Sequence, residues 1–338
     1  MMDTGAELCF SQLLNNSCKK PTPPQSNAMF FYIVISSISL LTSALNLLVI
    51  ISISHFRQLH SPTNLLILSL AVSDLLVGLL LMPVEIFFTE ACWFLGELMC
   101  ALYYVAVFTI TSSSVGNMVL ISIDRYLAIC DPLRYTTRVT LGRTRICVCL
   151  CWICSVLYNS LILKDFLRQP FSQNSCYGEC ILVLSYITGA VDFVFTFICP
   201  ITVIIFLYMR VFVVAVSQAQ AVRPHITGVT LQRSVRVTAK KSEMKAARTL
   251  GVVIVVFLIC FCPYYCNSLT SQVILLNASS AAFVMFWFYF NSCVNPIIYA
   301  LFYPWFRKSV KLIVTLKILQ PDSCEANMLE RATACCLK

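Results

Sequence analysis

Long apolar runs alternate with short polar segments along most of the chain. A transmembrane α-helix needs about 20 mostly apolar residues, and seven runs reach or approach that length. The fourth is the least sharply bounded, because it fades into a polar segment near Lys164. The pattern predicts an all-α membrane protein, a bundle of seven transmembrane helices that we call spans one to seven: 28–53, 63–88, 98–123, 146–163, 181–216, 248–273 and 279–303.

A different pattern follows span seven. From Pro304 to Leu319, apolar and basic residues are mixed at helical spacing, which is typical of a helix that lies on a membrane surface. We therefore expect a short amphipathic eighth helix there. The predicted parts of the chain are an N-terminal segment, the seven-span domain, the surface helix and a cytoplasmic tail: 1–27, 28–303, 304–319 and 320–338.

Charge predicts the orientation of the bundle. Only 12% of the residues are charged, against about 25% in soluble domains. If the N-terminus lies outside, 20 of the 24 Lys and Arg residues fall on the inner side, as the positive-inside rule requires. The net charge of +9 is then a basic inner face that lies partly against anionic lipid and is not a nucleic-acid signature. We expect a multi-pass protein of the plasma membrane with an extracellular N-terminus.

Cysteines and a sequon agree with that orientation. Six of the 19 cysteines are predicted outside: Cys9, Cys18, Cys92, Cys100, Cys176 and Cys180. An even number in an oxidising compartment allows up to three disulfide bonds. Asn15 begins an Asn-Asn-Ser sequon on the same side, so it is a predicted glycosylation site.

The span pattern leaves few functional classes. No catalytic constellation appears, so we expect no enzyme. A transporter usually shows two related halves, often with broken helices, and no such repeat is visible. A receptor needs an outer pocket and an inner coupling surface. A transporter or channel remains the less favoured alternative.

Four motifs, in order and at matching depths, carry a resemblance. They are Ser122-Ile123-Asp124-Arg125-Tyr126 in span three, Asn295-Pro296-Ile297-Ile298-Tyr299 in span seven, NLLILSLAVSD (64–74) in span two and CFCPY (260–264) in span six. Together with Asn46 and Trp152 they resemble the rhodopsin-like G-protein-coupled receptors over residues 30–320.

The resemblance implies a switch at the inner end of the bundle. Arg125 can pair with Asp124 and with Glu243 at the base of span six, and release of that pair would free Arg125 for a heterotrimeric G protein. Tyr208 and Tyr299 resemble the family's two inner tyrosines that move inward on activation, and Tyr126 completes the span-three motif. The alternative is that Arg125 and Glu243 merely reach the membrane interface.

The resemblance also implies an ion pocket in the middle of the bundle. Asp74 is a carboxylate well inside span two, and the matching family residue helps to hold sodium and water. The other predicted members of the pocket are present: Ser114, Asn291 and Asn295. The alternative is a hydrogen-bonded structural Asp74 without an ion. We expect no other cofactor.

Further stretches narrow the family. NSCVNPIIYALFYPWF (291–306), ISHFRQLHSPTNLLI (53–67) and SIDRYLAICDPLRY (122–135) are similar to the trace amine-associated receptors. This resemblance implies a Cys100–Cys180 bridge and a Cys18–Cys176 bridge, and Cys9 with Cys92 would make a third. It also implies an olfactory-type receptor in sensory neuron cilia that detects a small amine and raises cyclic AMP through a stimulatory G protein.

One residue departs from the family pattern. Aminergic receptors carry an Asp seven residues after the bridging cysteine of span three, but that position here is Val107. The inward stripe of this helix, which includes Tyr104, Val107 and Thr111, has no acid. The usual amine anchor is therefore missing, and amine recognition cannot be carried over from the family resemblance alone.

An acid stands in span five instead. Asp192 lies in GAVDFVFTF (189–197), eight residues before Pro200, and Thr188 and Thr196 share its helix face. The sequence resembles a fish-enriched branch of the family with Asp at this position. A buried ionised carboxylate needs an opposite charge, water or a proton, and an ammonium ligand would supply the charge.

Aromatic residues fill out the predicted pocket. Aromatic faces favour alkylammonium groups, and we expect the lining to include Val107, Phe108, Thr111, Phe261, Tyr264, Tyr265 and Tyr289 beside Asp192, Thr188 and Thr196. Glu85, near the outer end of span two, is predicted to be a rim residue, with a second acid for a diamine as the alternative. A receptor of the same fold for a non-amine ligand, with Asp192 structural, also stays open.

Overall fold

The regular elements of the described chain are helices. The computed structural model describes residues 8–10, 12, 16–18, 26–90, 92–169, 176–182, 184–222, 251–266 and 278–328. Among these residues, six helices are long and apolar enough to cross a membrane, and a seventh, in span six, is apolar but shorter. The long helices cover Ser26–His55, 62–90, Gly96–Cys130, Leu141–Ile162, 186–222 and Ala278–Phe302, and the described part of span six is Gly251–Cys266. The predicted helical membrane bundle is confirmed.

Three spans begin at a side-chain cap. Span two starts after Ser61, whose hydroxyl accepts the backbone N–H of Asn64, and Pro62 follows at the first helical position. Thr140 and Ser185 cap spans four and five in the same way. Each cap satisfies one of the N–H groups that the first helical turn leaves without a partner. Short polar connections therefore stop and restart the helices where the apolar runs predict.

Spans two and five each contain a widened turn of π-helix. These turns cover Val77–Leu81 in span two and Val194–Ile198 in span five. Pro83 and Pro200 follow closely, and each lacks the N–H that would bond the carbonyl four residues earlier. In both spans that carbonyl belongs to the widened turn. The prolines thus explain where the regular α-helix is replaced by the widened turn. In span five this turn begins two residues after Asp192.

Small residues and buried polar groups bring the spans together. A Cβ built on Gly78 would lie 2.7 Å from Ser43 Oγ and 3.1 Å from the Ser43 backbone nitrogen, so spans one and two approach closely there. Asn46 Nδ2 donates to the Ser292 carbonyl at 3.0 Å, and Trp152 Nε1 donates to Ser69 Oγ at 3.1 Å. Such small and polar contacts are the usual means by which helices associate in lipid.

The predicted amphipathic helix follows span seven directly. It covers Pro304–Val314 and buries Trp305 and Phe306 against a cluster that includes Phe56 and Tyr299. The α-helix ends at Val314, Leu316 adopts a left-handed backbone conformation, and a 3-10 turn covers Lys317–Leu319. The helical part is therefore shorter than the segment 304–319 that the sequence pattern suggests.

Three disulfide bonds tie the N-terminal segment and the loop between spans four and five to the bundle. They join Cys100 with Cys180, Cys18 with Cys176, and Cys9 with Cys92. Backbone hydrogen bonds run in parallel with them, from Cys18 to Tyr177 at 2.9 Å and from Tyr177 to Asn16 at 2.7 Å. The side chain of Cys100 is fully buried. The link from Cys180 to Cys100 holds the described loop residues 176–182 against the first turns of span three.

Candidate functional site

A cavity of about 390 Å³ lies among spans three, five, six and seven. Its walls are mostly aromatic and aliphatic, with one carboxylate and a few hydroxyls. The lining residues are Val107, Phe108, Thr111, Ser112, Asp192, Thr196, Tyr264, Tyr265, Met285 and Phe288.

Helical periodicity explains how each span contributes. In span three, Val107 and Thr111 are one turn apart, and in span five Asp192 and Thr196 have the same spacing. Residues four apart lie on one face of a helix, so each pair points at the same space. The acid therefore enters the cavity from span five, while span three presents an aliphatic side chain at Val107.

Asp192 is the carboxylate of this cavity and is half-buried. Tyr158 donates a hydrogen bond to Asp192 Oδ1 at 3.3 Å. The Thr196 hydroxyl donates to the backbone carbonyl of Asp192 at 2.6 Å, and Tyr265 donates to the Thr196 oxygen at 3.1 Å. Within the part of the chain that the structure describes, no Lys, Arg or His forms an ion pair with Asp192. Among the described residues, the side-chain groups that hydrogen-bond to this carboxylate are therefore neutral hydroxyls.

Three predicted pocket residues stand outside the cavity lining. The Thr188 hydroxyl lies 2.8 Å from Ser185 Oγ, at the cap of span five. Phe261 is buried and stacks on Phe257 at 4.4 Å between ring centroids. Tyr289 is 1% exposed and points to spans two and three instead.

Sequence reasoning missed three lining residues: Ser112, Met285 and Phe288. Ser112 follows Thr111 directly, so the stripe of span three is wider than predicted. Met285 and Phe288 are three apart, and helical spacing could have paired them. As ordinary apolar residues of a membrane helix, however, they gave no chemical signal.

A second polar site is buried in the middle of the bundle. Asp74 has no exposed surface, and Asn295 Nδ2 donates to its Oδ2 at 2.9 Å. Ser114 and Asn291 are also buried. Among the described residues no group hydrogen-bonds to Asp74 Oδ1 or Ser114 Oγ. Oxygen donors of this kind suit a small hard cation, so the residues present fit the sodium ion that the sequence suggested.

A third polar cluster lies at the opposite end of span three from the cavity. Asp124 is 3% exposed and accepts hydrogen bonds from Arg125 Nε at 3.0 Å, Thr63 Oγ1 at 2.9 Å and the Tyr135 hydroxyl at 2.7 Å. Arg125 also bonds Thr63 and forms an ion pair with Asp124. Burial raises the pKa of Tyr135, so its hydroxyl remains a donor at neutral pH.

Three more of the predicted switch residues, Tyr126, Tyr208 and Tyr299, lie in the described chain. Tyr299 and Tyr303 line a second cavity, of about 370 Å³, together with Arg125 and Val253. Tyr126 packs beside Ile129 and Val211, in spans three and five. The Tyr208 ring lies against Gly251, where span six begins in the described chain. Glu243 and the sequon residue Asn15 lie outside the described residues.

Comparison with known proteins identifies the family. Residues 45–299 match the family described as 7 transmembrane receptor (rhodopsin family). Trace amine-associated receptor 13c of Danio rerio is 37% identical over 336 residues, which cover 96% of this chain and 96% of that protein. Trace amine-associated receptor 1 of Mus musculus is 37% identical over 88% of this chain and 92% of its own length. Trace amine-associated receptor 6 of Homo sapiens is 37% identical over 95% of both. The chain therefore belongs to the rhodopsin family of seven-transmembrane receptors and, within it, to the trace amine-associated receptors.

Proposed function

We propose that this receptor detects a small amine whose ammonium group binds Asp192 on span five. The observation that carries the proposal is a carboxylate facing an aromatic cavity, with only neutral hydroxyls around it among the described residues. An ammonium ligand would neutralise this charge, and the rings of Tyr264 and Phe288 would favour it by cation–π attraction. Val107 supplies no competing acid on span three. The ammonium end of the ligand would then face span five, whereas a ligand anchored on span three has its ammonium end at span three.

Binding at Asp192 would connect to signalling through the polar clusters below. Receptors of this family couple to G proteins and are not enzymes. We infer that Arg125, held by Asp124 and Thr63 in this structure, is released on activation together with movement of Tyr208 and Tyr299. Glu243 would contribute to the resting state from the base of span six. The G protein is a stimulatory, olfactory-type one, so the response is a rise in cyclic AMP.

The membrane placement completes the proposal. The N-terminus would lie outside, with Asn15 glycosylated, and the basic inner face would lie against anionic lipid. The plasma membrane of sensory neuron cilia is the proposed location. A sodium ion held by Asp74, Ser114, Asn291 and Asn295 would stabilise the resting bundle, since it would pair a carboxylate that is completely buried.

The experiment compares Asp192→Asn with wild type in cells that report cyclic AMP, using a panel of monoamines. Removal of one side of a buried charge pair costs about 3–5 kcal/mol, which is about two to three decades or more in potency. We expect that loss with surface expression preserved. Asp165→Asn, which changes an exposed acid of the short helix Lys164–Arg168 after span four, is the matched control. Unchanged amine potency in Asp192→Asn would refute the anchor.

One observation favours a second candidate. Tyr158 already donates to Asp192, so the carboxylate could serve as a structural link between spans four and five in a receptor for a non-amine ligand. The same panel decides between the two, if each amine is tested beside the alcohol with the same carbon skeleton. Equal responses to amine and alcohol would favour the structural link.

A further inference from the structure

The chain turns back on itself after the surface helix. Leu316 and Asp322 both adopt the left-handed backbone conformation, with φ of 56° and 61°, and a short 3-10 turn follows each of them, over Lys317–Leu319 and Ser323–Glu325. This conformation is unfavourable for a residue other than glycine, because the Cβ crowds the following carbonyl oxygen. The returning residues 323–328, which we call the tail strap, therefore need contacts that hold the reversal.

The tail strap contacts the end of span one and the loop that follows it. His55 Nε2 lies 3.0 Å from Ser323 Oγ, and Arg57 forms an ion pair with Glu325 at 3.3 Å. Both side chains of the ion pair are exposed, and such a pair contributes little free energy in water. Buried contacts must therefore supply most of the free energy that holds the tail strap in place.

Met328 supplies the buried part of this contact. Its side chain is 3% exposed and belongs to one apolar cluster with Trp305 of the surface helix. Its backbone N–H donates to Gln58 Oε1, in the loop after span one, at 2.9 Å. Beside it, Lys308 Nζ of the surface helix donates to the Asn327 carbonyl at 2.5 Å. The tail strap thus joins the loop between spans one and two to the surface helix.

The surface helix connects the tail strap with the residues that are proposed to move on activation. One residue, Tyr303, separates span seven from the surface helix. Its ring lies 5.9 Å from that of Trp305 and 6.0 Å from that of Tyr299, and both tyrosines line the cavity that contains Arg125. Tyr299 also belongs to the same apolar cluster as Met328, so its movement would remove part of the packing that holds the tail strap. Contacts that are stronger in one arrangement of a protein favour that arrangement.

We propose that the tail strap is an autoinhibitory contact, which holds the surface helix and the adjoining end of span seven in their resting position and so lowers signalling without ligand. The inference rests on the proposed function, because it takes movement of Tyr299 as a step of activation. It does not involve Asp192 or the ligand cavity. A tail strap that served only the stability of the fold would change the melting temperature of the receptor and leave its basal signal unchanged.

Two truncations of the otherwise complete chain test the proposal. Deletion of residues 323–338 removes the tail strap, whereas deletion of residues 329–338 keeps it and is the matched control. Cyclic AMP without ligand is measured for both and for wild type, and is divided by the amount of receptor at the cell surface. We expect the longer deletion to raise this basal signal about two- to tenfold, the range that loss of one net hydrogen bond implies. The shorter deletion should give the wild-type signal.

Two point variants separate the tail strap from other effects of truncation. Met328→Asp places a charge in the buried apolar cluster, which is unfavourable, and it too must raise the basal signal. Cys324→Ser changes a free thiol of the tail strap and must leave the signal unchanged, because none of the contacts described above involves that thiol.

Several outcomes overturn the proposal. It is wrong if the longer deletion and Met328→Asp both signal at the wild-type level per surface receptor, even if both melt at a lower temperature. It is also wrong if the shorter deletion or Cys324→Ser raises the basal signal as much as the longer deletion does. Asp192→Asn separates this inference from the amine anchor. If Asp192→Asn abolishes amine responses while the longer deletion leaves basal signal unchanged, the autoinhibitory contact fails and the proposed function stands.

Discussion

Replacement of Tyr135 by Phe is predicted to raise the basal activity of the receptor. The change removes a 2.7 Å hydrogen bond to Asp124 Oδ1 and a 3.3 Å contact with Thr63. Asp124 then loses one of the hydrogen-bond donors that fix its carboxylate in the position where it pairs with Arg125. Because Phe keeps the ring, the packing of the short helix Pro132–Arg138 should persist.

The magnitude follows from the surroundings of the bond. A hydrogen bond to a charged group contributes about 1.5–3 kcal/mol, and the value here belongs at or below the lower end. Tyr135 is only partly buried, and Thr63 and Arg125 continue to donate to Asp124. A bias of about 1 kcal/mol toward the released state corresponds to about a fivefold change in the equilibrium.

Cyclic AMP measured without ligand, normalised to surface receptor, tests the prediction. Thr137→Val is the matched control, because it removes a hydroxyl of the same helix that, among the described residues, donates to the Arg134 carbonyl. We expect basal signal to rise in Tyr135→Phe and to stay at the wild-type level in the control. Basal signal at or below wild type in Tyr135→Phe, at equal expression, would refute the inference that this cluster restrains Arg125.

Two further predictions concern the interior of the bundle. Asp74→Asn should abolish the effect of sodium on agonist affinity. The effect is measured by comparing agonist affinity in sodium chloride and in N-methylglucamine chloride at equal ionic strength, and coupling between two sites usually changes affinity by about 5–150-fold. A sodium effect that survives the substitution would contradict the ion pocket. Gly78→Ala should lower the melting temperature of the purified receptor, because its Cβ would meet Ser43 at 2.7 Å and overpacking costs about 1–3 kcal/mol. Gly142→Ala, with open space at its Cβ, should melt like wild type, and equal stability of both variants would count against the close approach of spans one and two.

The seven spans could be predicted because the length of each apolar run matches the thickness of the bilayer core. The helix itself can be longer than its apolar run, as span three shows. Its apolar run ends near residue 123, but the helix continues to Cys130, since Asp124 and Arg125 find polar partners inside the protein. The π-helical turns before Pro83 and Pro200 were also not predicted, because a missing N–H can be accommodated by a kink, a bulge or a widened turn.

The candidate site was predictable where chemistry and periodicity coincide. An acid such as Asp192 inside an apolar run is conspicuous, and Thr196 follows from its spacing. Met285 and Phe288 could not be chosen among the apolar residues of span seven, because the rotation of that helix about its axis depends on its neighbours. The hydrogen bond from Tyr103 on span three to Glu85 on span two could not be predicted, because no sequence pattern specifies which residues of two different spans meet.

Direct binding tests the central claim, that the Asp192 carboxylate holds the ammonium of the ligand. The most potent monoamine from the cyclic AMP panel and the alcohol of the same skeleton would be titrated calorimetrically into purified wild-type receptor and Asp192→Asn in lipid nanodiscs. We expect wild type to bind the amine at least about a hundredfold more tightly than Asp192→Asn does, and to discriminate strongly against the alcohol. Equal affinity of wild type and Asp192→Asn for the amine would contradict it.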